Sequence, residues 1–344
     1  MLKSYIITIY NKLIPLYKTI LSNCILLKNK TTAYFQYHIT SWWQVAIGVL
    51  FAIAFLYYPI GGMLVHNIDT SSTYKPLSKS GKLSSIDMMS YLINREAHYN
   101  IWTPNLPFLF PSFFLDNMPS FQLGLMSAIS KTALALNHLT LLNTTEEARK
   151  QLNEGVDLLQ YPGDIWLFSP QTHLPAPSSA SQYKKGRKKL NNFNNEIKVG
   201  RANIDMAPQN LSVFLHVIKN DINVLITKTE KHIRENNDSA IDVNADNVFY
   251  YAQGKLYAYS QILKSLGIDF KTVMITKEIY PQWTSVIKAL QNASDINPSI
   301  VRNGKLDSIF APNHLIAINY FATQTINKLN RILNKLDKKM DNLP

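Results

Sequence analysis

A long uncharged stretch near the N-terminus constrains this chain more than any other feature. From Thr31 to Ile68 there is no Asp, Glu, Lys or Arg, and the centre of the stretch reads WWQVAIGVLFAIAFLYYPIGGMLV, residues 42–65. A helix rises about 1.5 Å per residue, so about 20 apolar residues cross a hydrocarbon core of about 30 Å. The pattern predicts a transmembrane helix over residues 42–65. Aromatic rings near the edges of this helix are expected to anchor it at headgroup level; they are Trp42, Trp43, Tyr57 and Tyr58.

Two other interpretations of this stretch fit less well. Buried helices of soluble proteins seldom exceed about 14 residues without a charge. A cleavable signal peptide has a short basic leader, an apolar run of about 7 to 15 residues and a cleavage site flanked by small residues. Here residues 1–41 precede the run and no such site follows it. The sequence therefore favours an uncleaved membrane anchor.

The distribution of lysines predicts which side of the membrane each part occupies. Residues 1–41 carry several lysines and no acid, whereas residues 66–100 mix both signs. Segments rich in lysine beside a span remain in the cytoplasm. We therefore expect a cytoplasmic leader and, for residues 66–344, the periplasm of a bacterial inner membrane. Within the leader, residues 4–27 have apolar positions at helical spacing, so this part either lies on the membrane or crosses it.

Composition excludes several classes of function. The only cysteine, Cys24, lies in the leader, so the exported part has neither disulfides nor thiol chemistry, which suits a bacterial periplasm. The net charge is +12, but lysine far outnumbers arginine and the basic residues are spread along the chain. Nucleic-acid-binding proteins concentrate their charge and favour arginine. We therefore expect no nucleic-acid partner.

The rest of the chain is expected to form a helical domain. Residues 66–83 are polar and rich in Ser, Thr and Lys, which predicts a tether between the membrane and the domain. From residue 84 to residue 344, apolar positions recur at helical spacing and no alternating strand pattern occurs, so we predict an all-α bundle. The loop at 169–181, rich in Ser and Pro, is the candidate boundary if the domain divides into two helical subdomains.

Capping residues and prolines predict the individual helices. They fall at about 84–99, 120–142, 145–160, 180–198, Pro208 to Glu235, Asp242 or Asn244 to Gly267, 281–293, and from Pro312 onward. The second and third of these are joined by a short loop, and we expect them to form an antiparallel hairpin.

Several blocks of the sequence resemble one protein family. They are LDNMP at 115–119 with Ser120, Phe121 and Gly124; Trp166; SSASQYKKG at 178–186; FYYAQGKLYAYSQILKSLGIDF at 249–270; and Asn303, Gly304, Asn313 and His314. In these blocks the chain resembles the proteobacterial inner-membrane domain-of-unknown-function family 2333 (DUF2333), over about residues 43–338. The run from Arg201 to Asn210 departs from the family pattern, which resumes at Asn210 and Leu211. The resemblance implies a single-span anchor with a periplasmic helical domain, and it implies no activity.

Candidate catalytic chemistry is sparse. No HExxH or CxxC motif occurs, and His216 and His232 fall on opposite faces of one predicted helix, so we expect neither a metal site nor a cofactor. Asp116 is the one candidate acid. If it is buried beside the aromatic segment, desolvation would raise its pKa; an Asp just before a helix is also typical of an N-cap. A glycosidase-type site needs a second carboxylate, for which the candidates are Glu147, Asp164 and Asp205.

Two segments are candidate binding surfaces. The run KKGRKK at 184–189 is either a solvated helix face or a contact for anionic lipid headgroups or an acidic protein. Its basic residues are Lys184, Lys185, Arg187, Lys188 and Lys189. The segment 104–119 is rich in proline and phenylalanine, and it is either a lid over the core or a groove for a partner. Its candidate binding residues are Phe110, Phe113 and Phe114.

The last predicted helix carries a narrow apolar stripe at heptad spacing. The stripe consists of Ile326, Leu329, Leu333, Leu336 and Met340. Such a stripe either packs inside the domain or pairs with another chain, so a helical partner and a homo-oligomer both remain open.

Two hypotheses of function follow from these patterns. The first is a non-enzymatic scaffold or interaction protein, held in the lipid bilayer and bound to other envelope proteins in secretion, division or wall maintenance. The second is a membrane-tethered hydrolase of cell-wall polymer with Asp116 as its acid. A deep polar cleft beside Asp116 would favour the hydrolase, whereas a capping hydrogen bond to its carboxylate would favour the first hypothesis.

The lysine asymmetry makes a direct prediction about topology. Alkaline phosphatase fused to the C-terminus should be active and a fluorescent protein fused there should be dark, because residues 66–344 are expected outside the cytoplasm. A fluorescent protein fused after residue 30 is the control and should fluoresce. Fluorescence without phosphatase activity at the C-terminus would contradict the predicted orientation.

Overall fold

The described part of the chain folds mainly into helices. The computed structural model describes residues 15, 18–23, 25–28, 42–71, 81–141, 143–169, 171–236, 242–304 and 312–337, with only the backbone of residues 42–44. Within these ranges no strand forms, and pairing is limited to isolated bridges such as that between Thr140 and Ile204. The prediction of an all-α fold is confirmed. Most of the leader and Met340 lie outside the described residues.

The α-helices are, in chain order, α1 Trp42–Val65, α2 Ser84–Asn94, α3 Asn117–His138, α4 Glu146–Leu159, α5 Ser179–Lys198, α6 Pro208–Asn236, α7 Ala245–Asp269, α8 Lys271–Thr276, α9 Tyr280–Ser294 and α10 His314–Asp337. A π-helical turn at Arg95–Tyr99 extends α2, and a 3-10 turn lies at Pro111–Phe114. Helix α7 continues past Gly267, where the sequence predicted its end.

Helix α1 contains a segment, Val45–Val65, that is long and apolar enough to cross a membrane. Its side chains are largely exposed, as expected of a surface that lipid would cover. The chain divides into two compact units, Met1–Ile60 and Gly61–Pro344. The last turn of α1 therefore belongs to the same unit as the helices that follow it.

Helix α7 is the central element of the second unit. It contacts α2, α3, α6, α9 and α10, while α4 packs mainly on α5. The contact between α3 and α7 is the most extensive of those described. Two glycines make it close: a Cβ on Gly124 would overlap the carbonyl oxygen of Tyr251, and a Cβ on Gly254 would overlap that of Phe121. The two backbones can therefore touch at this crossing.

Polar side chains fix the neighbours of α7. At its C-terminal end, the Asp269 carboxylate accepts hydrogen bonds from the backbone N–H groups of Ser84 (2.7 Å) and Ser85 (2.9 Å), and so caps the first turn of α2. In its middle, the Lys255 ammonium group lies 2.8 Å from the Asp221 carboxylate of α6, and both side chains are buried. The Tyr259 hydroxyl donates to the same carboxylate at 2.7 Å. A buried carboxylate paired in this way tolerates removal of neither partner.

The predicted hairpin of α3 and α4 is not the main packing of either helix. Helix α4 pairs with α5, where the Lys189 ammonium group lies 2.5 Å from the Glu154 carboxylate and Leu152 and Leu190 are buried in the core. Helix α3 instead packs on α7, which is distant in sequence. The glycine crossing explains this preference. It lets α3 make a more extensive contact with α7 than with α4, to which it is joined by a short loop.

The heptad stripe of α10 lies inside the domain. Leu329, Leu333 and Leu336 are buried, and Ile326 packs against the same core. Helices α6 and α9 of the same chain contact α10. Of the two alternatives that the sequence left open, these four residues take the intramolecular one, because they pack against the core of their own domain. Pairing of this helix with another chain stays a prediction.

The glycine crossing predicts the effect of adding a single methyl group. Gly124→Ala or Gly254→Ala should lower the free energy of unfolding by about 1–3 kcal/mol or more, because the new Cβ meets a backbone carbonyl that cannot rotate away. Thermal denaturation in detergent measures the change. Ser130→Ala, at a partly exposed position of α3, is the control and should change stability by less than about 0.5 kcal/mol. Equal stability of both glycine variants and the control would contradict the close crossing.

Candidate functional site

An aromatic groove is the surface that best combines the candidate binding residues. It has a volume of about 420 Å³. We call it the aromatic groove; its lining residues are Ala97, His98, Asn100, Ile101, Trp102, Pro104, Leu106, Phe110, Ile165, Trp166, Leu167, Ser178, Ala180 and Lys184. Most of this lining is apolar or aromatic, as in surfaces that bind proteins or small apolar groups. Phe110 and Lys184 belong to two separate segments of the sequence, and both line this groove.

Contacts between two loops build the groove. The indole N–H of Trp102 donates to the carbonyl of Gly163 at 2.9 Å, and its ring packs edge-on against Tyr183 at 5.1 Å. Asn105, whose φ of 58° is unusual for a side chain other than glycine, donates from Nδ2 to the carbonyl of Asp164 at 2.6 Å. The rings of Phe110 and Trp166 meet edge-on at 5.9 Å and form part of the floor. Burial raises the pKa of the Tyr183 hydroxyl, and the nearby Asp164 raises it further.

The residues after the groove form a compact turn with exposed apolar side chains. We call Pro107–Phe114 the aromatic turn. Backbone N–H groups of Phe110 and Phe113 donate to the carbonyls of Pro107 and Phe110, at 2.9 and 3.0 Å. The exposed fractions of its apolar side chains are 62% for Phe108, 66% for Leu109, 47% for Phe113 and 69% for Phe114. Phe113 and Phe114, both candidates from the sequence, therefore lie on the outside of the turn, whereas Phe110 lines the groove.

The structure separates the basic residues of α5. Lys184 lines the groove, and Lys185 and Lys188 are exposed. Lys189 is paired with Glu154 on α4 and Arg187 is partly buried, so these two are less available to a ligand. The run is therefore not one continuous basic patch.

The chain directly after α1 is bonded to the helical domain. The Tyr257 hydroxyl of α7 donates to the carbonyl of Ser71 at 2.9 Å, and the Asp69 carboxylate lies 3.6 Å from Nη1 of Arg95. Arg95 donates to Tyr257 at 2.8 Å and to the buried carboxylate of Glu96 at 2.6 Å. Burial raises the pKa of the Tyr257 hydroxyl, and Arg95 opposes that rise. Within the predicted tether of residues 66–83, Asp69 and Ser71 are thus bonded to the domain. Residues 72–80 lie outside the described residues, and the tether stays a prediction.

Asp116 is the N-cap of α3. Its carboxylate accepts the backbone N–H of Asn117 at 3.0 Å, and its side chain is exposed rather than enclosed. Two of the three candidate second carboxylates, those of Glu147 and Asp205, also have local partners. The Glu147 carboxylate accepts from the side chain of Gln151 at 2.7 Å, and the Asp205 carboxylate accepts the backbone N–H of Ala207 at 3.0 Å. These bonds support a capping role for Asp116, a turn role for Asp205 and a side-chain pair within α4 for Glu147.

A polar cavity of about 360 Å³ lies beside the segment that follows α1. Its lining residues are His66, Asn67, Ile68, Thr70, Tyr250, Gln253, Asp295 and Asn297. Partial burial lowers the pKa of His66, although the charge of Asp116 opposes this shift. Burial raises the pKa of Tyr250, and the carboxylates of Asp246 and Asp116 raise it further. Asp116 is thus near this cavity but does not line it.

Histidine, aspartate and asparagine side chains form a hydrogen-bond network near the start of α10. The ring of His232 lies 2.8 Å from the Asp242 carboxylate, which also accepts from the side chain of Asn303 at 3.0 Å. The Asn313 side chain donates to Asn303 at 2.8 Å and caps α10 through the N–H of Ile316 at 2.9 Å. In the part of the chain that the structure describes, no group of three His, Cys, Asp or Glu side chains could hold a metal ion. The hydrogen bonds of His232, Asn303 and Asn313 therefore indicate a structural role for these side chains.

Comparison with known proteins identifies one related family. Residues 216–335 match the model of a family described as an uncharacterized protein conserved in bacteria (DUF2333). The resemblance found in the sequence is thus confirmed over this segment, which runs from α6 to α10. It contains the block at 249–270 and the asparagine network before α10. No curated protein matches the chain, and no solved structure matches it.

Sequence reasoning missed the residues that join the start of the domain to α7. Arg95 and Glu96 were read only as charges in a mixed segment, and Tyr257 only as part of a family block. The sequence did contain one signal of a buried ion pair, namely an adjacent Arg and Glu on a helix whose face is otherwise apolar. Their partners could not be found from spacing, because Tyr257 is distant in sequence.

The bond between Tyr257 and Ser71 predicts how the segment after α1 is held. Tyr257→Phe should lower the free energy of unfolding by about 1–3 kcal/mol, because Arg95 loses a buried acceptor and Ser71 loses a donor. Hydrogen exchange should be measured on the intact protein in detergent. The substitution should increase the exchange rate more at residues 66–71 than in the rest of the domain. Tyr280→Phe, at an exposed position, is the matched control. Unchanged exchange at residues 66–71 would show that the hydroxyl does not hold this segment.

Proposed function

We propose that this chain is a single-span protein of the bacterial inner membrane whose periplasmic helical domain binds another envelope protein in the aromatic groove. The observation that carries this proposal is the groove itself, which brings Trp102, Phe110 and Trp166 together with Lys184. Aromatic side chains in a shallow pocket dominate the binding energy of many protein interfaces. The protein would act as an interaction partner or scaffold rather than as a catalyst.

The anchor and the orientation rest on the sequence. Helix α1 has the length and composition of a span, and a family conserved in bacteria matches the domain. The lysines of the leader support a cytoplasmic N-terminus. Together these features favour the inner membrane, with the groove in the periplasm.

The chemistry of the groove indicates the kind of partner. The groove has a volume of about 420 Å³ and a mainly apolar lining, so it accommodates a few side chains. We therefore expect the ligand to be a peptide segment with apolar anchor residues. The ammonium group of Lys184 at the edge favours an acidic residue beside those anchors. The proposed partner is therefore an acidic, aromatic or aliphatic segment of an envelope protein.

The hydrolase with Asp116 as acid has less support from the site. Its carboxylate caps α3, and each second carboxylate described above except Asp164 has a local hydrogen-bond partner. The polar cavity beside His66 is the nearest feature to a cleft, and Asp116 is not part of its lining.

Site-specific photocrosslinking in living cells tests the groove. A photoreactive residue in place of Leu167, which lines the groove, should form one discrete protein adduct. The same residue in place of Val213 on α6, also exposed, is the control and should form none. Lys184→Glu should reduce the adduct at position 167 by several-fold, because it repels an acidic partner, whereas Lys188→Glu should have little effect. An adduct of equal strength at both positions, or none at position 167, would contradict the proposal.

A further inference from the structure

The aromatic turn lies beside the end of the segment that can cross a membrane. A Cβ on Gly61 would overlap the ring of Pro111, and a Cβ on Gly62 would lie 3.6 Å from the carbonyl oxygen of Pro111 and 3.8 Å from Leu115. Gly61 and Gly62 belong to the last turn of α1, within the unit that contains the helical domain. The two glycines thus let the 3-10 turn approach the helix where it ends.

The composition of the turn matches the boundary between headgroups and acyl chains. The sequence from Ala97 to Leu115 contains no Asp, Glu, Lys or Arg. The turn exposes three phenylalanines and a leucine to the extent given above. Apolar patches of this kind on a soluble surface usually mark a binding site. At the end of a membrane span, the nearest apolar phase is the bilayer itself.

The backbone of the turn is also suited to partial burial in lipid. An unpaired N–H group is costly to bury in an apolar phase, which excludes most irregular loops from the membrane. Prolines at 104, 107 and 111 have no N–H group. The N–H groups of Leu106, Phe110, Phe113 and Leu115 are bonded to carbonyls within the same segment. The turn can therefore enter the interface with fewer unsatisfied donors than an ordinary loop.

We propose that the aromatic turn inserts the side chains of Phe108, Leu109, Phe113 and Phe114 into the interfacial region of the leaflet in which α1 ends. The inference rests on the membrane anchor of the proposed function and adds a second contact with the same bilayer. Phe110 remains turned toward Trp166, so the groove stays open to a protein. The occupant of the exposed face is thus lipid, and the occupant of the groove is a partner.

Fluorescence quenching of the full-length protein in lipid nanodiscs tests this proposal. In a Cys24→Ser background, Phe113→Cys is labelled with an environment-sensitive dye, and nanodiscs carry lipids with a spin label just below the headgroup. Emission from position 113 should shift to the blue and be quenched at least threefold more strongly than emission from Ile275→Cys. Ile275 is also exposed, and it lies on α8, after the C-terminal end of α7. Phe108→Cys is the second variant and should behave like Phe113→Cys.

A label in the span separates this inference from the anchor. Ile53→Cys should be quenched by lipids that carry the spin label deeper in the acyl chain. If position 53 is quenched but positions 108 and 113 are quenched by aqueous iodide as fully as position 275, the insertion of the turn is wrong and the anchor stands. Absence of quenching at position 53 would instead contradict the proposed membrane span, and the insertion of the turn would then be contradicted as well. Circular dichroism of each labelled variant checks that the helical domain is folded.

Discussion

The close crossing of α3 and α7 is the most extensive helix contact described in the domain, and it supports the segment that leads to the aromatic groove. Gly124 and Gly254 let the two backbones touch, and this fixes the residues on either side of them. Gln122, between Phe121 and Gly124, accepts from the N–H and hydroxyl of Thr103 at 2.9 and 2.8 Å. The segment that leads into the aromatic groove is thus held by the helix that crosses α7.

The same crossing is connected to the residues that follow α1. The Gln122 amide lies 3.3 Å from the Glu96 carboxylate, and Glu96 pairs with Arg95, which in turn bonds to Tyr257. Through Ser71 and Asp69 this buried network reaches the residues that follow α1. Buried charges held by several partners favour one arrangement over others, because any alternative leaves a charge unpaired. The network therefore bonds the helical domain to residues 69–71.

This attachment gives a physical basis for the proposed function. A flexible segment of 18 residues would have an end-to-end distance of roughly 25 Å and would let the domain take many orientations. Residues 69–71 are bonded to the domain, so this part of the segment is already ordered. Binding of a partner in the proposed groove would then cost less entropy for the ordering of these residues.

Local patterns predicted the helices, whereas the contacts between them required the structure. Periodicity and capping residues were sufficient for the apolar stretch of α1, for the proline start of α6 and for the N-cap at Asp116, since each depends on a few neighbouring residues. The stripe at Leu329, Leu333 and Leu336 was visible in the sequence, but its partners were not. The bonds of Asp69 and Ser71 could not be predicted for a similar reason: the segment is polar in composition, and its partners Arg95 and Tyr257 are distant in sequence. The groove combines segments near residues 102, 110, 166 and 184, and no spacing rule brings these together.

The bonding of the helical domain to the residues that follow α1 is tested most directly by a distance distribution. Spin labels at Leu64→Cys and Val224→Cys, in a Cys24→Ser background, would be measured by pulsed electron paramagnetic resonance on the full-length protein in nanodiscs. Both positions are exposed, one at the end of α1 and one in the middle of α6. The account predicts a single distance with a width of a few ångströms, set mainly by the label linkers. A broad distribution over tens of ångströms would show that residues 66–83 act as a flexible tether and would contradict the account.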